Sequence, residues 1–243
     1  MEYTQFKEKL TVALANNSVS LDVTDEKVEK LFELTAIMLE VNKVMNLTAI
    51  TDEDAIIVKH YVDSLTVSRY IPNGASVIDV GCGAGFPCLP LAIFREDLKI
   101  TALDATAKRI KYIADTAQKL GIDNITPIAA RAEELAKQSD YRERYDVATA
   151  RAVAALPILS ELCLPFVKKS GLFVSMKALQ GSQEALDAQN AIRLCGGSIA
   201  SVNKLSLVSN QSSEDRTVIV IDKVSSTPSK YPRHYSQIVK KHL

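Results

Sequence analysis

The sequence contains no apolar run near the roughly 18 residues that a membrane-spanning helix requires. Its opening, Met1 to Lys9, is charged and lacks the apolar stretch of a secretory signal, so a cytoplasmic location is expected. Cysteine is scarce: Cys82, Cys88, Cys163 and Cys195 form no Cys-x-x-Cys pair and have no histidine at ligand spacing. That argues against zinc and against a disulfide framework, and leaves four small apolar residues for a buried core, with no metal expected. Net charge is also missing, since 29 basic residues balance 29 acidic ones. No global field draws the chain to nucleic acid, and a polyanionic partner has to meet a local patch. There is no internal repeat. What remains is a chain of 243 residues with 47% hydrophobic content, enough for one large globular domain or one domain with an extension.

The most informative stretch is Val77 to Pro90, a run of β-formers broken at Gly81, Gly83 and Gly85 and continued by apolar residues to Phe94. A strand, a tight glycine turn and a helix in this order let a ligand lie against bare backbone near unpaired helix N–H groups. The dinucleotide pattern Gly-x-Gly-x-x-Gly/Ala places Phe86 or Cys88 at its last small position, depending on phase. The tighter spacing Asp79-x-Gly81-x-Gly83-x-Gly85 suits S-adenosylmethionine, which carries a carboxylate and no pyrophosphate. Asp104 closes the next apolar run, where an acid can accept both ribose hydroxyls. An ordinary glycine-rich turn with an unrelated acid is the alternative.

Residues 1 to about 70 carry helical signals. Thr24-Asp25-Glu26 starts a helix whose apolar positions Val28, Leu31, Phe32, Met38 and Leu39 recur at helical spacing. Thr51-x-x-Asp54 resembles a capping box ahead of a second helix. On that helix His60, Asp63 and Ser64 share one face, for which a solvated polar face is the simplest reading of spacing alone. Asn42 to Thr48 reads as a loop, and Pro72-Asn73-Gly74 marks a boundary.

From Ala75 onward strands near 76–80, 99–103, 125–129, 145–150 and 171–176 alternate with helices, which predicts a parallel sheet of order 3-2-1-4-5. Pro127 assigns strand three to the edge. A helix from Gln183 to Leu194 and two runs, Ile199–Val208 and Thr217–Asp222, follow and read as a helix and a terminal antiparallel hairpin. The expected organisation is a helical cap (1–72), a ligand-binding domain (73–224) and a basic tail (225–243). Ligands of open α/β sheets sit at the strand C-termini. Three elements stand there: Arg131-Ala132-Glu133-Glu134 could meet an adenine edge, Arg151 either pairs with an acid or handles a phosphate or base, and Lys177 is otherwise a solvated strand end.

Asn46-Leu47-Thr48, His60-x-x-Asp63-Ser64-Leu65, Val77 to Pro90, Arg109, Arg131-Ala132-Glu133, Ala150-Arg151-Ala152 and Tyr231-Pro232-Arg233 occur in this order over nearly the whole chain. In this the chain resembles the RsmG family, also called glucose-inhibited division protein B, bacterial 16S ribosomal RNA (guanine-N7)-methyltransferases. The resemblance implies an α/β class I S-adenosylmethionine-dependent methyltransferase sheet, Rossmann-like, with a terminal antiparallel strand and an N-terminal helical cap. It implies a cofactor site of Gly81, Gly83, Gly85, Phe86, Asp104, Ala132, Glu133 and Arg151, with Arg151 also the candidate catalytic residue. Asn46, His60, Asp63, Lys177 and Arg233 are the residues expected to meet the small-subunit RNA. Lys43, Lys59, Arg69 and the tail lysines are expected to converge around the same mouth. Guanine N7 has an in-plane lone pair and no proton, so the implied reaction needs no general base. An NAD-dependent oxidoreductase, a class I methyltransferase with another substrate, and a non-enzymatic binding module are the competing readings.

Overall fold

The computed structural model describes residues 1–209 and 213–243. Helix α1 (Tyr3–Asn16) packs Phe6, Leu10 and Leu14 against Val28, Leu31 and the other apolar residues of α2 (Asp25–Met45). Each fully buried side chain of this kind contributes about 1.5–3 kcal/mol. Thr24 caps α2 as the sequence indicates. Asn46 ends it in the left-handed conformation, and Asn42 fastens the following loop by donating to the Thr48 carbonyl and accepting from the Thr48 N–H, both at 2.9 Å. The next helix is capped one residue later than expected, because Asp52, not Thr51, accepts from the Ala55 N–H at 2.8 Å. This helix begins as α3 (Glu53–Ile56), widens into a π-helical turn over Ile57–Val62, and resumes as α4 (Asp63–Thr66).

The described residues form a seven-stranded sheet. Strands β1 (Ser76–Val80), β2 (Lys99–Asp104), β3 (Ile125–Ala129), β4 (Tyr145–Arg151) and β5 (Val167–Lys177) are parallel. The hairpin β6 (Gly197–Val208) and β7 (Ser213–Lys223) completes the order β3-β2-β1-β4-β5-β7-β6. Pro127 lies on edge strand β3, as its missing donor requires. The second strand of the hairpin pairs with β5, antiparallel and in the register Lys177 to Thr217. That pairing brings the beginning of β7 to the C-terminal edge of the parallel strands. Both hairpin strands are longer than the apolar runs implied, and residues 210–212, part of the polar loop expected between them, lie outside the described residues.

Two apolar layers hold the sheet. On one face the cap helices share a core with α5 (Cys88–Phe94) and α6 (Ala107–Lys119), continuous from Phe6 to Val220 across the expected boundary at Pro72. On the other face lie α7 (Ala132–Leu135), α8 (Leu156–Cys163), α9 (Gly181–Asp187), α10 (Gln189–Leu194) and α11 (Tyr235–Lys240) of the tail. The helix expected over Gln183–Leu194 is two pieces that meet at Ala188. All four cysteines are buried and unpaired.

Candidate active site

The glycine turn leaves the C-terminal end of β1 with positive φ at Gly81 (76°), Gly83 (56°) and Gly85 (91°). Gly81 and Cys82 both donate their N–H to the Leu103 carbonyl, at 2.7 and 3.0 Å, which ties the turn to the end of β2. At Gly83 an added Cβ would meet nothing nearer than the Gly81 carbonyl at 3.8 Å, so the backbone conformation alone calls for glycine there. At Gly81 the Cβ would stand 2.6 Å from Val153, because the loop after β4 lies directly over the turn.

Two carboxylates flank this turn. Asp104 Oδ2 accepts from the Gly83 N–H at 3.0 Å and Oδ1 from the Thr106 N–H at 2.8 Å, with the Arg109 guanidinium 3.7 Å away. Each oxygen keeps a second lone pair for a hydroxyl donor. Glu133, in the single turn of α7 beside Ala132, is buried, and its Oε1 has no hydrogen-bond partner. The nearest cation, Arg131, is 4.0 Å away. A buried carboxylate oxygen left in this state costs free energy that a ligand amino group would recover. Bare backbone at the turn, a ribose-competent acid and an unsatisfied acceptor beyond it fit S-adenosylmethionine. Beneath the turn, Asp79 accepts from Thr149 Oγ1 at 2.9 Å, its other oxygen is unpartnered, and burial pushes its carboxyl up to about 6.

Beside the turn, Arg151 ends β4 and is held from several sides. Its Nη1 donates to Asp63 Oδ2 and to the Lys59 carbonyl, both at 2.9 Å, and its Nη2 stands 3.3 Å from His60 Nδ1. The π-helical turn makes this possible. The Asp63 N–H bonds the carbonyls of Val58 and His60 and skips that of Lys59, which is left for the arginine. A guanidinium only donates, so His60 Nδ1 is an acceptor and Nε2 carries the proton toward Thr48 Oγ1 at 2.9 Å. Burial, and then the Arg151 charge, push the His60 imidazole down to about 3, so the ring is neutral. It stacks on Phe86 with centroids 4.4 Å apart and planes 10° from parallel, and the Arg151 guanidinium lies 5.2 Å from the same Phe86 ring.

His60 and Asp63 therefore do not form the solvated face that their spacing alone indicated; both are buried. Lys177 is no solvated strand end either, since its Nζ donates to the Ala154 carbonyl at 2.5 Å and pairs with Glu184 at 2.8 Å. Arg233 is bound to Glu161 on α8 at 2.6 Å, on the other face of the sheet. Asn46 is exposed at the end of α2, with Lys43 nearby on Glu40. Arg69 lines a groove with Asn73 and Arg95 near the start of β1, away from the strand ends that carry the turn, so the expected convergence of basic residues does not include it. Sequence reasoning missed Glu214 and Arg216. They fell in what read as a polar loop, although they continue the period-two alternation of Val218 and Val220.

The fold is similar to that of solved methyltransferases. An S-adenosylmethionine-dependent methyltransferase from Aquifex aeolicus superposes with a TM-score of 0.53 at 14% identity, covering 76% of this chain and 97% of that one. TYW2 from M. jannaschii, solved in complex with AdoMet, gives 0.53 at 12% identity, covering 67% and 75%. At such identities the likeness concerns the fold. Sequence relatives are much nearer. A ribosomal RNA small subunit methyltransferase G from Alkaliphilus metalliredigens is 41% identical over 213 residues, 87% of this chain and 88% of the relative. One from Clostridium perfringens is 36% identical over the full length of both. Residues 27–213, which include the cap histidine, the glycine turn and Arg151, match the family described as rRNA small subunit methyltransferase G, and to that family the chain belongs.

Proposed function

We propose that the protein transfers a methyl group from S-adenosylmethionine to N7 of a guanine in 16S ribosomal RNA of the small subunit, in the cytoplasm. The observation that carries this reading is the meeting, at one sheet edge, of the glycine turn, Asp104, the unsatisfied Glu133 and a multiply held Arg151. Gly81, Gly83, Gly85 and Phe86 would hold the methionine end, Asp104 the ribose, and Ala132 with Glu133 the adenine. The cofactor supplies an electrophilic methyl on a cationic sulfur. Guanine N7 offers its lone pair without losing a proton, and the residues around Arg151 match a site with no base to provide. Both nitrogens of His60 and both oxygens of Asp63 face other protein groups. Holding nucleophile and methyl in line can supply about 7–11 kcal/mol of the barrier. Arg151 then contacts a phosphate, the cofactor or the guanine O6, since a cation set against N7 would oppose the positive charge that develops there.

The RNA meets the rim near Asn46 and Lys43 and, from the other layer, the exposed tail lysines Lys240 and Lys241. Beneath that surface His60 is tied to Thr48 at 2.9 Å and Arg233 donates to the Lys241 carbonyl at 3.1 Å, while Asp63 and Lys177 are turned to Arg151 and Glu184. No helix of the described residues is long and apolar enough to cross a membrane. The test is transfer of isotope from labelled S-adenosylmethionine to small-subunit RNA from a strain lacking the gene. Label in N7-methylguanine is the expected result, and no label in RNA that a control methyltransferase can modify would refute the proposal. Arg151→Ala is expected to abolish transfer while leaving the fold intact.

A further inference from the structure

Asp63 is shared between two arginines that come from distant parts of the chain. Its Oδ2 binds Arg151 Nη1 at 2.9 Å, and its Oδ1 faces Arg216 Nε at 3.5 Å, a charge pair rather than a hydrogen bond. Arg216 reaches this point because β7 runs antiparallel to β5, so its first residues stand beside the C-terminal ends of the parallel strands. Arg216 is itself oriented by Glu214 Oε2 at 3.0 Å and by the Asp215 carbonyl at 3.1 Å. Glu214 in turn takes Lys59 of the π-helical turn at 2.5 Å. Three cations and two carboxylates thus alternate in one cluster that joins the cap, the end of β4 and the terminal hairpin, leaving an excess of one positive charge. A carboxylate bound on one oxygen alone can rotate about its terminal torsion, and a second cation on the other oxygen fixes its plane. Asp63 is the carboxylate among the groups that hold the Arg151 guanidinium, beside the Lys59 carbonyl and His60 Nδ1, so fixing its plane narrows where that guanidinium stands.

We propose that Arg216 is a positioning residue for methyl transfer, acting through Asp63 to fix where Arg151 stands beside the glycine turn. This rests on the reading that Arg151 contacts the reacting groups. Arg216 lies on the hairpin, and its loss shifts Arg151 without removing it, so the glycine turn, Asp104 and Glu133 keep most of the cofactor's affinity while turnover falls. A displacement of about 1 Å in a positioned group can lower a rate on the order of 100-fold. Arg216→Gln is expected to lower kcat at least 10-fold, with the Kd for S-adenosylmethionine changed by less than 3-fold. Arg216→Lys, which keeps a cation near Asp63, is expected to restore most of the loss. Asp63→Asn combined with Arg216→Gln is expected to be no slower than Asp63→Asn alone, because residues acting through one another are not additive.

A folded Arg216→Gln protein with wild-type kcat overturns the inference. So do losses that multiply in the double variant, or an Arg216→Lys protein as slow as the glutamine variant. If Arg216→Gln unfolds, the lysine variant and the turnover of Asp63→Asn decide: a folded, active lysine variant beside a slow Asp63→Asn supports the inference, and any other pair overturns it. An active Arg151→Ala would sink the underlying reading of Arg151. An inactive Arg151→Ala with a normal Arg216→Gln sinks this inference only.

Discussion

At the scale of single residues, two buried groups of the site titrate away from their usual ranges, with opposite consequences for stability. His60 is pushed down to about 3, so between that value and about 6.5 the unfolded chain binds a proton that the folded chain does not. Stability therefore falls as pH drops through this window, by a few kcal/mol, and His60→Gln should flatten that part of a urea-unfolding profile. Asp79 is raised to about 6, so between about 4 and 6 the folded chain holds the extra proton and stability falls as pH rises. Asp79→Asn should raise the unfolding midpoint at pH 8 and do little at pH 4; an equal effect at both would contradict the assigned burial. Neither shift was legible beforehand. The spacing of His60 and Asp63 put them on one helix face, but which way that face turns depends on strands more than 80 residues later. Asp79 and Asp104, by contrast, were readable, because glycine spacing and strand ends fix where such acids stand.

At the scale of elements, start signals were readable to within a residue and the interior irregularities were not. The sequence offered Thr51-x-x-Asp54 as a capping box, and the structure caps the helix with Asp52. Asp52→Ala should cost about 1 kcal/mol, while Thr51→Ala should stay within about 0.5, as thermal unfolding would measure. The π-helical turn has no comparable signature, since one extra residue per turn is set by tertiary bonds such as Arg151 to the Lys59 carbonyl. Linker composition likewise concealed how firmly the tail is fixed. Glu161, fully buried on α8, accepts from the Arg233 backbone N–H at 2.8 Å and from its guanidinium at 2.6 Å. Arg142 meanwhile donates to the carbonyls of Thr227 and Tyr231. Glu161→Ala should therefore cost about 3 kcal/mol, the low end for a broken buried pair, because Arg233 keeps some contact with water. A loss below 0.5 kcal/mol would mean that the tail is held elsewhere.

For the whole molecule, alternating strands and helices gave the sheet order directly, since right-handed crossovers and an edge proline leave few alternatives. The relation of the cap to the sheet was less accessible, because a core that spans Pro72 depends on which apolar faces meet. Phe6, Leu31 and Met38 pack in the same cluster as Val77 and Ile100. Circular dichroism and the exposure of Cys88 to a thiol reagent should accordingly report one coincident unfolding transition; two separated transitions would show that the cap is independent. The hairpin adds a temporal consequence. Asn17 exchanges hydrogen bonds with Val208 across 191 residues, and Asp63 waits for Arg216. A chain emerging from synthesis must have passed Val208 and Arg216 before its first helices find these partners. Until then the carboxylate that holds the arginine beside the glycine turn lacks its second cation, so full competence waits for the hairpin.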